Sequence, residues 1–252
     1  MSVRENLEHV FDRLEAAKRR AGRESDTVRL MAVTKTQSYA AVQEAYQAGV
    51  RLFGENRVQE AQEKYATTPA GSELHLIGHL QRNKARMVPG LFVAVQSIDG
   101  SRTARALEEA VSRSEGPGGS AGSAYGKGDP GGPVSAPLDI FLEVNTSGEE
   151  SKFGYRNNDD LLRDTEEIAR MRHLRIVGLM TIAPFTAEEP RLRMSFRTLR
   201  RSFEKLRSEF PELPLTELSM GMSNDFEIAV EEGSTLVRLG TILFGSRPGG
   251  PV

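Results

Sequence analysis

Short apolar runs, separated by amphipathic stretches, recur along the whole chain. They lie at 28–33 (VRLMAV), 51–54 (RLFG), 74–77 (LHLI), 92–98 (FVAVQSI), 138–144 (LDIFLEV), 174–180 (LRIVGLM), 215–220 (LTELSM) and 235–239 (TLVRL). Runs of this length, bounded by polar residues and glycine, read as strands. Between them apolar positions return at helical spacing, as in Ala40-Val42-Ala45-Tyr46 before Gly49 and Leu192-Phe196-Leu199-Phe203-Leu206. A leading helix over 2–22 is predicted from Ser2 and Glu5 at capping-box spacing, the stripe Leu7-Val10-Phe11-Leu14, and a stop at Gly22. The pattern amounts to eight strands, seven intervening helical segments and one leading helix. Such alternation implies parallel strands joined by right-handed crossovers. Eight units in 252 residues predict an α/β fold, a single (β/α)8 TIM-type barrel with an extra N-terminal helix, occupying 1–252 as one domain. An open doubly wound sheet is the rival, but no glycine-rich dinucleotide turn follows the first strand.

One stretch breaks the pattern. Residues 115–137 (EGPGGSAGSAYGKGDPGGPVSAP) hold eight of the 24 glycines and four of the 12 prolines. With almost nothing apolar to bury, the stretch is expected to be a flexible Gly/Pro-rich surface insertion. Its Gly126-Lys127 does not begin a phosphate-binding loop, because Ala121 and Gly128 stand where that motif needs Gly and Ser or Thr.

Charge and composition narrow the function. Lys and Arg total 33 against 35 Asp and Glu, a net charge of -2, without the cation surplus of a dedicated nucleic-acid binder. Arg-rich 191–207 alternates with Leu and Phe at helical spacing and reads as the solvated side of an amphipathic helix. The absence of cysteine excludes disulfides, thiolate metal sites and cysteine nucleophiles. His75 and His79 are four apart, but the strand pattern and Gly78 argue against a helical metal pair, so no metal is expected. No apolar run approaches a membrane span and the N-terminus lacks a signal-peptide core, so the expectation is a cytoplasmic monomer without membrane contact.

In a barrel of this kind, chemistry sits at the C-terminal ends of the strands. Lys35 directly follows VRLMAV there, flanked by Thr34 and Thr36. A desolvated lysine loses part of its preference for the ammonium form and can attack an aldehyde as the neutral amine. A solvated strand-end lysine fits the residue type equally well. The second feature is the pair Ser219-Met-Gly-Met-Ser223 and Arg238-Leu-Gly-Thr241, in the loops after strands seven and eight. Small residues and hydroxyls there suit a phosphate, aided by a short helix beginning at Asn224-Asp225. Ordinary turn and cap chemistry explains each loop taken singly.

A lysine across from a phosphate site points to pyridoxal 5'-phosphate, which carries an aldehyde and a phosphate on one ring. The segments LMAVTK (30–35), FGENRVQEA (53–61), HLIGHLQRNK (75–84), SID (97–99), EVNTSGEESKFG (143–154), GLMTI (178–182) and LSMGMSNDFEIAVEEGSTLVRLGTILFG (218–245) resemble the pyridoxal phosphate homeostasis proteins, relatives of the alanine racemase barrel. They cover nearly every strand unit outside 115–137. The resemblance implies that Lys35 carries the cofactor as a Schiff base. It further implies that Ser223, Gly240 and Thr241 hold the phosphate, that Ser219 and Gly221 shape the same pocket, that Arg238 faces the pyridine nitrogen, and that Asn56 lies near the cofactor.

An arginine accepts no proton at physiological pH, so it leaves the ring nitrogen unprotonated and the ring a weak electron sink. Alanine racemase takes its opposite-face base from another domain. The expectation is therefore a cofactor carrier in vitamin B6 homeostasis, with pyridoxal phosphate-dependent apo-enzymes as recipients and no catalytic residue of its own. A racemase of weak or narrow activity, and a cofactor-free lysine aldolase, are the alternatives.

Overall fold

The computed structural model describes residues 2–66, 68–114 and 136–245. All but the last two residues of the insertion expected over 115–137 lie outside the described residues. Helix α1 (Val3–Arg20) leads into β1 (Arg29–Val33), α2 (Tyr39–Gln47), β2 (Leu52–Glu55), α3 (Val58–Lys64) and β3 (Glu73–Leu76). A 3₁₀ helix (Arg82–Met87) then precedes β4 (Ala94–Ile98), α4 (Ser101–Ser114), β5 (Leu138–Glu143), α5 (Asn158–Ile168) and β6 (Leu174–Met180). The chain ends its described course with α6 (Glu189–Glu209), β7 (Glu217–Ser219), α7 (Phe226–Glu231), β8 (Leu236–Leu239) and α8 (Thr241–Phe244). Each strand pairs in parallel with the next, and β8 closes on β1 with Met31 beside Arg238 and Ala32 beside Leu239. The eight apolar runs are thus the eight staves of a closed barrel, as predicted. The third connecting segment differs in being a 3₁₀ helix, and α8 is an extra turn after the last strand.

Strand alternation sorts the side chains. Outward residues such as Ala32, Phe53, Leu74, Ile140 and Leu239 join the layer between sheet and helices. Inward residues such as Met31, Val33, Leu52, Ile77 and Leu236 fill part of the barrel interior, and Ala94, Phe141, Val177 and Met180 fill another. The same parity places Arg238 inside next to Leu236, Gln96 inside after Ala94, and Glu143 inside after Phe141.

Helix α1 forms as its sequence predicts. Ser2 and Glu5 exchange the reciprocal bonds of a capping box, and the chain turns away at Gly22, whose φ is 64°. Its buried stripe is Leu7, Val10, Leu14 and Ala17, whereas Phe11 is 49% exposed. Phe11 was expected on that stripe; it sits at the stripe's edge, and the contact surface beneath α1 is narrower than the sequence implied. That surface includes α7 and α8. Arg13 pairs with Glu227 at 2.7 Å and Asn6 Nδ2 donates to Leu243 O at 2.8 Å. The leading helix therefore braces the segment that follows β8.

Candidate functional site

All eight residues singled out from the sequence lie at the C-terminal rim of four consecutive staves, β7, β8, β1 and β2. Ser219 ends β7, Arg238 lies in β8, Lys35 follows β1 and Asn56 follows β2. The chain makes this rim compact at two glycines. A side chain at Gly78 would lie 2.2 Å from Asn56 O, so only glycine lets the end of β3 come against that residue. Gly221 has φ 96° and a side chain there would lie 2.6 Å from Ala229 Cβ, so the turn from β7 can close onto α7 only with glycine.

Lys35 is half-buried, at the centre of a turn in which Thr34 O accepts from Gln37 N at 3.0 Å. Thr34 points outward, where its Oγ1 donates to Glu55 Oε1 at 2.7 Å and meets Tyr65 OH at 2.7 Å. With Thr34 outward, strand alternation gives Lys35 the interior parity of Met31 and Val33. Beneath the turn, the Lys64 ammonium donates to Thr34 O at 2.6 Å, Glu55 Oε1 at 2.9 Å and Glu60 Oε1 at 3.0 Å. Burial pushes the Glu55 carboxyl up, against the opposing pull of its bonds from Lys64 and Thr34. Its Oε2 is buried with no hydrogen-bond partner.

The loops after β7 and β8 are sewn to each other. Arg238 N donates to Gly221 O at 2.9 Å, and Ser223 Oγ accepts from the backbone N–H groups of both Gly240 and Ile242 at 3.3 Å. Gly240 is the N-cap of α8. The short helix expected after Asn224-Asp225 is α7, and α8 adds a second N-terminus, which begins at Thr241 and is held by Ser223. Thr241 is exposed and Ser223 half-buried. The Gly240 and Ile242 N–H groups are spent on Ser223 Oγ, which leaves the Ser223 and Thr241 hydroxyls beside the start of α8 as donors suited to a phosphate.

Between these two anchors lies Arg238, buried, with Nη1 on Ser219 Oγ and Nη2 on Thr181 O, both at 2.7 Å. Burial lowers its pKa to about 10, with Asp225 and Glu143 pulling the other way. At neutral pH the group is a cation and a donor only. Ser219, expected to shape the phosphate pocket, spends its hydroxyl on the interior: it accepts from Arg238 and donates to Gln96 Oε1 at 2.7 Å. Gln96 Nε2 in turn lies 3.0 Å from His75 Nδ1, which must therefore accept, leaving the His75 proton on Nε2, 3.4 Å from Glu73 Oε2. Burial holds the His75 imidazole below its usual range, so it stays neutral. A one-way chain of donors thus runs down the barrel axis from Arg238 to Glu73. His79, by contrast, stays at the rim, stacked on Phe153 at 3.7 Å and 3.5 Å from Asp99.

Glu143, at the end of β5, faces the mouth from the opposite side. Burial, reinforced by Asp99 and opposed by Arg238, pushes its carboxyl up to about 7. The sequence reading missed Gln96, Glu143 and Thr181 as neighbours of Arg238. Their signal was present: each is a polar residue in or directly after an otherwise apolar strand run, and Gln96 and Glu143 have inward parity.

The residues fit pyridoxal phosphate: a lysine for the aldehyde, the Ser223 and Thr241 hydroxyls at the start of α8 for the phosphate, and an obligate cation between them. A parallel eight-stranded barrel with this rim defines a class, and the chain belongs to it: the family model described as alanine racemase, N-terminal domain, matches residues 6–248. Within that class it is a member of the pyridoxal phosphate homeostasis protein family. It is 35% identical over 250 residues to the pyridoxal phosphate homeostasis protein of Aquifex aeolicus, with 98% of this chain and 99% of the relative covered. To the protein of the same name from Pseudomonas aeruginosa it is 39% identical over 249 residues, covering 98% and 96% respectively. The solved structure of PipY from Synechococcus elongatus with PLP bound aligns with a TM-score of 0.78 at 32% identity, covering 97% of this chain and 100% of that one.

Proposed function

We propose that this chain binds pyridoxal 5'-phosphate at the β7–β8–β1–β2 rim and serves its intracellular supply and homeostasis. The observation that carries the reading is the order of the anchors around one half of the barrel. Ser223 follows β7, Thr241 follows β8, Arg238 lies in β8, and Lys35 follows the adjoining β1. In this reading Lys35 Nζ bonds the aldehyde as a Schiff base. Ser223, Gly240 and Thr241 hold the phosphate, Gly221 shapes their loop, Ser219 orients Arg238, and Asn56 lies beside the ring. The cofactor, when bound, supplies an electron-withdrawing ring.

Arg238 weakens that ring. A guanidinium with a pKa of about 10 stays charged at neutral pH and would give a ring nitrogen beside it no proton, so carbanion chemistry would be poorly supported. The relatives share the homeostasis name, and the matched model is the N-terminal domain of a racemase. The shared name supports a carrier, and in this reading the chain acts as a cytoplasmic monomer that hands cofactor to apo-enzymes. The protein as purified, with no cofactor added, is expected to be yellow and to turn over no amino acid. Racemisation at about 1 s⁻¹ or faster, a rate ordinary for enzymes, seen by chiral analysis, sinks the carrier reading in favour of the racemase. A cofactor-free lysine aldolase would be colourless as purified.

A further inference from the structure

The guanidinium of Arg238 is held at two nitrogens. Nη2 donates to Thr181 O, a backbone anchor that any side chain at 181 would leave in place, and Nη1 donates to Ser219 Oγ, both at 2.7 Å. Bonds on two separate nitrogens fix the plane of the group, whereas one alone lets it swivel about that contact. The Ser219 bond is therefore the one that depends on side chains. A serine hydroxyl carries one proton and two lone pairs, so it faces Arg238 with a lone pair only when its proton is placed elsewhere. Ser219 is fully buried, and its proton goes to Gln96 Oε1 at 2.7 Å.

An amide side chain has an accepting end and a donating end, and which end meets Ser219 depends on what the other end meets. Gln96 is also fully buried, and its Nε2 lies 3.0 Å from His75 Nδ1. On its other side His75 Nε2 lies 3.4 Å from Glu73 Oε2. Contacts with His75 and Arg29 hold the Glu73 carboxyl down to about 2, so at neutral pH it only accepts. The imidazole proton is thereby drawn to Nε2, Nδ1 is left as an acceptor, and Gln96 turns its N–H end toward it. A proton on Nδ1 would meet that N–H end and turn the amide over, taking the carbonyl away from Ser219. A buried hydroxyl is costly to leave with its proton unplaced, so Ser219 would turn to another rotamer and Nη1 would lose its acceptor.

We propose that Gln96 and His75 are positioning residues for Arg238: His75 accepts at Nδ1, Gln96 is thereby held with its carbonyl toward Ser219, and Ser219 offers Arg238 the lone pair that fixes its guanidinium. Neither residue touches the cofactor in this scheme; both act through Ser219, and His75 does so from within β3. The inference rests on the reading of Arg238 as a neighbour of the bound ring.

The test compares the full-length wild type with Gln96→Leu, His75→Leu and His75→Asn. Asparagine carries Oδ1 on the same carbon that carries Nδ1 in histidine, so it restores the acceptor without the ring, whereas leucine removes both. In protein freed of cofactor, NMR of the arginine side-chain N–H groups reads the seat directly, the Arg238 signals being assigned by their loss in Arg238→Lys. Wild type and His75→Asn are expected to show separate Nη resonances for Arg238; Gln96→Leu and His75→Leu are expected to show them merged by rotation. Binding of pyridoxal phosphate is expected to divide the same way, about tenfold weaker in both leucine variants and within about threefold of wild type in His75→Asn. A role in core packing alone predicts that the two His75 variants behave alike, because both lose the imidazole. Gln96→Met, closer in shape, takes the place of Gln96→Leu if that variant does not fold. Separate Arg238 resonances in the Gln96 variant, or a His75→Asn as loose as His75→Leu, overturn the proposal. A loosened Arg238 with undiminished binding overturns the placement of the ring beside Arg238 instead, so the two failures are distinguishable.

Discussion

On the lysine side of the rim, β1 and β2 lean on α3 through a buried cation, Lys64, shared among Glu55, Glu60 and the Thr34 carbonyl. On the phosphate side, β7 and β8 meet α8 through Ser223 Oγ and the N–H groups of Gly240 and Ile242, with no charged side chain in the contact. The difference follows from what each side must do. A nucleophile needs its direction fixed before any ligand arrives, and desolvated charges are rigid about geometry because leaving one unpaired is so costly. A phosphate brings its own charge, so its seat needs only neutral donors already aimed at one point. Mutations on the lysine side should therefore cost folding, and mutations on the phosphate side should cost binding.

The largest expected effect is Lys64→Met. It leaves Glu55 buried and unpaired, and the loss of stability is expected to be about 3 kcal/mol, read by denaturant unfolding. Because burial already pushes the Glu55 carboxyl up, that carboxyl takes a proton more readily folded than unfolded. The loss should therefore shrink as pH falls and Glu55 becomes neutral. A loss below about 0.5 kcal/mol would put Lys64 among ordinary surface pairs and erase the contrast between the two sides.

Glu143, facing both anchors across the mouth, offers a test with the opposite sign. Its carboxyl rises from an ordinary 4.5 to about 7 in the fold, so the folded state holds the proton more tightly than the unfolded chain. The cost of ionising it is fully present above about pH 7 and is relieved as pH falls toward 4.5. Glu143→Gln, neutral throughout, is expected to be more stable than wild type at pH 8, by up to about 3 kcal/mol, and equal to it near pH 4.5. Equal stability at both pH values would show that water reaches the carboxyl.

Smaller effects on folding belong to the phosphate side. Ser223→Ala and Thr241→Ala each remove a hydroxyl proposed to donate to the phosphate, and each is expected to weaken cofactor binding tenfold to a hundredfold, following charge-assisted bonds of about 1.5–3 kcal/mol. Folding should change little: Ser223→Ala loses a cap on α8 at about 1 kcal/mol, and exposed Thr241 less. Variants that bind normally but melt early would reverse the comparison.

The sequence was informative wherever the determinant is local. Each strand was visible as an apolar run, and Ser2 with Glu5 announced the start of α1 because both bonds of the capping box close within one turn. The candidate rim was visible too, since a parallel barrel brings strand ends together whatever their separation in sequence. What escaped the sequence depends on pairing between distant residues. Lys64 is an ordinary helical lysine until α3 is set against β1, and nothing near Thr36 marks the left-handed φ of 63° that it adopts, because glycine is the usual marker and a β-branched side chain argues the other way. Ser219 was expected to shape the phosphate pocket, and nothing local in the sequence showed that Gln96, 123 residues away, and Arg238 engage its hydroxyl. Phe11 matched the helical spacing of its buried neighbours, yet is 49% exposed, because spacing gives the direction of a stripe and only the packed partner gives its width.

The central claim is that Lys35 is where the cofactor attaches, and reductive mapping tests it most directly. Protein incubated with pyridoxal phosphate, reduced with borohydride and digested, is expected to carry the pyridoxyl group on the peptide containing Lys35, with Lys35→Ala losing the visible band. A pyridoxyl group on Lys84 or Lys152, with Lys35 unmodified, would contradict the account.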